Sequence, residues 1–139
     1  MLSVVSYQFF AEYIVVKMSS YQDLDIYKNS LNLFYEVHIA SLLLPKYELY
    51  ELGSQIRRSA DSVNSNIVEG YGRNRYKAEF IRFLVFSHSS CLETKGHLIK
   101  INHLYKGLIP DIERYITDYD NLGAKIFNFI KYVESNWKT

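Results

Sequence analysis

One cysteine stands alone in this sequence, so no internal disulfide can form. Two prolines and six glycines in 139 residues leave little punctuation, and no stretch alternates apolar and polar residues over a useful strand length. Charge of one sign is also lacking. The net charge of +1 excludes a strong global attraction to nucleic acid or an anionic membrane, while leaving room for a local basic patch. Apolar residues are not scarce: they make up 48% of the chain against 22% charged, the balance of a folded domain. The length suits one core. Cys91 falls on an apolar stripe and reads as a small buried hydrophobe in a reducing, cytoplasmic setting.

Residues 1–17, MLSVVSYQFFAEYIVVK, are β-branched and aromatic, with one acid and one base. Ser6, Gln8 and Glu12 interrupt the apolar run, so it matches neither a secretory signal nor a membrane span. The composition suggests a start at Met18, with 1–17 an extension that is not native and 18–139 a single domain. The rival reading is a genuine arm that packs on a neighbouring chain.

From Ser20 onward the hydrophobic period is helical. The spacing predicts helices over about 21–44, about 46–69, about 75–106 and about 110–136. Pro45 divides the first two. Gly70 and Gly72 suit a left-handed stop after the second, Gly107 closes the third, and Pro110 with Asp111 and Glu113 suits the opening turn of the fourth. Short connections predict an all-α, antiparallel up-down four-helix bundle.

The fourth helix has one main stripe, from Ile112 through Tyr119 and Ile126 to Val133. The first and third each carry two. In the third, Phe80, Phe83, Leu84, Ser87, Cys91, Leu98 and Ile101 form one row and Ile81, Val85, Leu92 and Ile99 another. In the first, Leu24, Tyr27, Leu31, Phe34 and Leu42 lie beside Ile26, Leu33, Val37, Ala40 and Leu44. A lone bundle needs one stripe per helix, and an exposed second row favours association. The expectation is a homo-oligomer.

In the second helix the stretch QIRRSADSVNSNIVEG sets a polar row beside the core face of Leu49, Leu52, Ile56, Ala60, Val63 and Ile67. Gln55, Ser59, Ser62, Asn66 and Glu69, with Arg58 at the margin, adjoin the core instead of opposing it. Groups so placed are desolvated only if hydrogen-bonded across to another element. They predict a structural polar seam that sets helix register; a ligand groove is the alternative.

Residues 57–82 hold six bases, Arg57, Arg58, Arg73, Arg75, Lys77 and Arg82, against the acids Asp61, Glu69 and Glu79. Arginine forks suit phosphates, and Tyr71 and Tyr76 can stack on bases. The bland reading pairs Arg75 with Glu79 and Arg57 with Asp61 on helix surfaces. Chemistry is harder to find. A di-metal carboxylate bundle needs two Glu-x-x-His pairs, whereas Glu93 and His97 are four apart and His38, His88 and His103 have no carboxylate at that spacing. No P-loop, dinucleotide-binding glycine turn, paired-cysteine site or nucleophile elbow occurs. These residues imply no cofactor, no metal, no membrane partner and no enzyme activity.

The run QIRRSADSVNSNIVEGYGR resembles the signature of a small four-helix-bundle family. That family includes proteins encoded by intervening sequences in bacterial large-subunit ribosomal RNA genes and accessory proteins of diversity-generating retroelements. The matching residues are Gln55, Arg57, Arg58, Ser62, Asn66, Ile67, Glu69, Gly70 and Arg73, supported by YQDLDIYKNSLNLFYEV, LPKYELYEL and FIRFLVFSHSSCLET with Ser90 and Glu93. Val68 departs from the alanine common among relatives. The resemblance implies an antiparallel protomer in a ring-shaped homopentamer, no established enzyme activity, and RNA or ribonucleoprotein binding. On this reading Arg57, Arg73, Arg75, Lys77 and Arg82 contact nucleic acid, while Gln55, Arg58, Ser62, Asn66, Glu69 and Glu93 form the seam. A protein-interaction scaffold with no nucleic-acid role is the competing expectation.

Overall fold

The computed structural model describes residues 20–138. The extension 1–17 and the start at Met18 lie outside the described residues. A 3₁₀ turn at Tyr21–Asp23 leads into α1 (Asp25–Ser41). A second 3₁₀ turn at Lys46–Glu48 precedes α2 (Leu52–Gly72), followed by α3 (Lys77–Leu104) and α4 (Ile112–Asn136). These four α-helices, with no strand, make an all-α bundle among the described residues. None is long and apolar enough to cross a membrane.

The ends of the helices follow from local chemistry. Ser20 and Asp23 form a reciprocal capping box: Ser20 Oγ accepts from the Gln22 amide at 3.1 Å and Asp23 Oδ2 from the Ser20 amide at 3.2 Å. Leu24 then leaves helical geometry and is buried, so α1 starts four residues later than the apolar pattern suggests. Pro45 cannot continue a helix and opens the second 3₁₀ turn, which delays α2 to Leu52. Gly107, at φ 78°, supplies the left-handed reversal after α3, and Asp111 adopts a left-handed φ of 62° just before α4.

Gly70 and Gly72 do something other than stop a helix. Both lie inside α2, neither has positive φ, and the chain leaves the helix at Arg73. Gly70 is buried because α3 passes directly over it: a Cβ there would stand 3.0 Å from Phe83 Cβ and 3.3 Å from the Phe80 carbonyl.

The apolar stripes meet in one core. Ile26, Leu33 and Val37 of α1 face Ile56, Val63 and Ile67 of α2, Phe80, Leu84 and Leu98 of α3, and Tyr119, Leu122 and Ile126 of α4. Helix α1 packs on α2, α2 on α3 and α3 on α4, and α4 returns against α1. The two rows of α1 fare differently from those of α3. The row with Tyr27, Leu31 and Phe34 is half-buried: Tyr21 and Tyr27 meet edge to face at 5.0 Å, and Tyr27 and Phe34 lie against the core flank; only Leu42 of that row is exposed. The second row of α3 stays outside, with Val85, Leu92 and Ile99 each about half exposed and only Ile81 tucked against the core. Surplus apolar surface therefore lies on α3 and at the C-terminal end of α1, and not along the whole of α1.

Candidate nucleic-acid interface

The polar row of α2 finds its partner in α3. Ser87 Oγ, fully buried, donates to the Val63 carbonyl at 2.6 Å. Ser62 and Ser90 hydroxyls lie 2.8 Å apart, and Asn66 Nδ2 donates to the Ser62 carbonyl and hydroxyl, both at 2.9 Å. One turn further on, Thr94 Oγ1 donates to the Ser90 carbonyl at 2.8 Å and sits 2.9 Å from Ser59 Oγ. Short hydroxyls let the two backbones approach while leaving no donor stranded, so the seam is structural.

Of the six residues expected in it, Ser62 and Asn66 take part. Gln55, Arg58, Glu69 and Glu93 are exposed on the adjoining surface, where their longer side chains reach water past the helix contact. Glu69 holds Arg73, and Glu93 Oε1 lies 3.3 Å from His97 Nε2. The side chains of Gln55 and Arg58 make no hydrogen bond or ion pair among the described residues. Sequence reading missed Thr94. Its signal was its place four residues after Ser90 and seven after Ser87, on the stripe that turns toward α2.

The basic residues divide between the two ends of the molecule. Arg57 is half-buried at the α1–α2 connection, where Nη2 donates to the Leu49 carbonyl at 2.6 Å and Nη1 to Ser41 Oγ at 2.9 Å. Its guanidinium lies under Gly53, at a distance of 2.9 Å from where a Cβ would stand. With its fork committed to the connection, Arg57 acts as a structural clamp and lies apart from the other expected contact residues, Arg73, Arg75, Lys77 and Arg82. Its surface pairing with Asp61 does not form among the described residues.

Arg73, Arg75, Lys77 and Arg82 gather at the α2–α3 turn. Arg73 pairs with Glu69 at 2.9 Å and Glu79 at 3.5 Å, and Arg82 with Glu79 at 3.6 Å. Both arginines also lie over aromatic rings, Arg73 at 4.8 Å from the Phe83 centroid and Arg82 at 5.5 Å from Phe86; the two rings meet edge to face. Arg75 does not pair with Glu79; it lies over the exposed Tyr76 ring at 5.8 Å. Lys77 has no acid partner among the described residues. Tyr71 is half-buried and engaged edge to face with Tyr21 and Phe80, whereas Tyr76 is exposed. A contributor invisible in the linear pattern is the end of α4: Trp137 Nε1 donates to the Asn74 carbonyl at 2.8 Å, which brings exposed Lys138 to this turn.

Elsewhere, a cleft of about 540 Å³ between α1 and α4 is lined by Asn29, Asn32, Glu36, Asp118, Asn121 and Lys125. Arg114 bridges Glu36 and Asp118 at its margin. The lining offers hydrogen bonds but no paired nucleophile and base. Among the described residues no group of three or more histidine, cysteine, aspartate or glutamate side chains is placed to hold a metal ion.

Comparison with curated proteins returns no match. A family model does match, over residues 22–128, which spans α1 to α3 and most of α4. The chain belongs to the family of 23S rRNA-intervening sequence proteins.

Proposed function

We propose that the chain is a non-enzymatic, cytoplasmic, up-down antiparallel helical protomer that assembles as a ring-shaped homopentamer and binds RNA or a ribonucleoprotein through the α2–α3 turn. The topology is supported by contacts that run in opposite directions along neighbouring helices: Ser59 with Thr94 and Val63 with Ser87 between α2 and α3, and Ser30 with Asn64 and Ser41 with Arg57 between α1 and α2. Assembly is supported by the exposed row Val85, Leu92 and Ile99, seven residues apart on one face of α3.

The observation that carries RNA binding is the clustering of Arg73, Arg75, Lys77 and Arg82 at one turn, where Glu69 and Glu79 are the acids paired with them. Guanidinium planes already held against aromatic rings are preorganised for phosphate and base contacts. In a ring the turn recurs once per subunit, so a modest local charge is multiplied. Filter binding of single- and double-stranded RNA at two salt concentrations tests it. Affinity should fall as salt rises, and Arg75→Ala/Arg82→Ala should flatten that slope while Arg57→Ala leaves it unchanged. Binding that is absent, or indifferent to salt, defeats the reading. A protein-interaction scaffold is the second reading, favoured by the exposed Tyr47 and Tyr50.

A further inference from the structure

At the end of the bundle opposite the basic turn, the two connections lie against each other. The Tyr105 hydroxyl donates to Glu48 Oε2 at 2.7 Å and lies 3.2 Å from the Tyr47 hydroxyl. Around this junction Ile39, Leu42, Leu43, Tyr47, Tyr50 and Leu104 are each more than half exposed, Tyr50 to 85%. Their combined exposed surface is comparable to the ~800 Å² that one partner gives to a stable interface.

Charge narrows the occupant. The exposed ionic groups bordering this end include Lys46, Lys100, Lys106 and Arg114 on one side of the balance and Glu51, Asp111 and Glu113 on the other. A two-fold contact sets a surface against its own copy, so a surface of one sign repels itself and one of mixed sign can set lysine against carboxylate. The α2–α3 turn, with four bases against Glu69 and Glu79, meets that condition less well. The apolar end meets it.

We propose that this end docks a second copy of the same chain by the same end, about a two-fold axis. Two protomers, or two rings, then meet tail to tail with their basic turns pointing outward at opposite poles. The contact uses residues distinct from the α3 row invoked for the ring, so the two associations are separable.

Light scattering and sedimentation of the full chain beside Leu43→Glu/Leu104→Glu test it, with Tyr50→Lys as an independent second variant. All three positions are exposed, and unchanged helical circular dichroism and melting verify that the fold persists. The expected result is a mass halved by either variant, whatever the subunit number of the ring, with RNA affinity per chain retained. A wild-type dimer that becomes a monomer supports the pairing and removes the ring. A pentamer that neither variant changes retains the ring and overturns the pairing, leaving this surface to another protein or to residues 1–19.

Discussion

Cys91 is a buried titratable residue. Its Sγ donates to the Tyr119 carbonyl at 3.1 Å from a fully buried position, and burial, aided by the nearby Asp120 carboxylate, pushes the thiol up to about 12 from its ordinary value of 9.0. Tyr119, buried beside it, is raised as well, chiefly by burial. The folded chain therefore holds the thiol proton more tightly than the unfolded chain does. The associated stability is complete below pH about 9 and is lost as pH rises from about 9 toward about 12. Urea midpoints at pH 8 and pH 10 should fall with pH, and Cys91→Ala should remove part of that fall; an unaltered slope would reject the assignment. The apolar stripe on which Cys91 sits was enough to read it as buried. The carbonyl that accepts from it could not be read that way, since Tyr119 is 28 residues away on another helix.

The α2–α3 pair is the element contact on which the molecule's polar chemistry is concentrated. Small residues, Ser59, Ser62 and Gly70 on one helix and Ser87, Ser90 and Thr94 on the other, allow close approach, and hydroxyls satisfy one another inside it. Gly70 and Gly96 give opposite predictions. Gly70→Ala drives a methyl group against Phe83 Cβ and the Phe80 carbonyl and should cost about 1–3 kcal/mol. Gly96, in the interior of α3, has nothing within 4 Å of an added Cβ, and Gly96→Ala should stabilise by about 0.5–1 kcal/mol through reduced backbone entropy in the unfolded chain. Chemical denaturation of both variants measures the signs directly. Helix count and the core faces were legible because a 3.6-residue period needs only local sequence. The first turns of α1 and α2 were not, because Leu24 and the 3₁₀ turn after Pro45 interrupt helical geometry without breaking the apolar pattern.

At the scale of the whole molecule, an excess of bases lies at the α2–α3 turn, exposed leucine, isoleucine and tyrosine bordered by both charges at the other end, and a third apolar region along α3. Arg57 and Arg73 illustrate why linear spacing mixed these regions. Both belong to one charge count, yet α2 separates them to opposite ends, Arg57 locked to the Leu49 carbonyl and Arg73, at the helix C-cap, over Phe83. The α3 region makes its own prediction. Leu92 is 58% exposed midway along the row, so Leu92→Glu should leave melting nearly unchanged while lowering the assembled mass. A mass equal to wild type in sedimentation would remove α3 from the ring contact.

The sequence by itself determined the helical class, the apolar rows of each helix, the polar row of α2 and the family, because each depends on residue order over a few turns or on a continuous motif. Only the tertiary structure decided which polar side chains close the seam, that Arg57 is a clamp, that one row of α1 is covered while that of α3 is not, and that Trp137 carries Lys138 to the basic turn. Those outcomes depend on which surfaces of distant segments meet. Period and composition specify that a face is apolar or charged, and the packing of the other helices specifies whether water still reaches it.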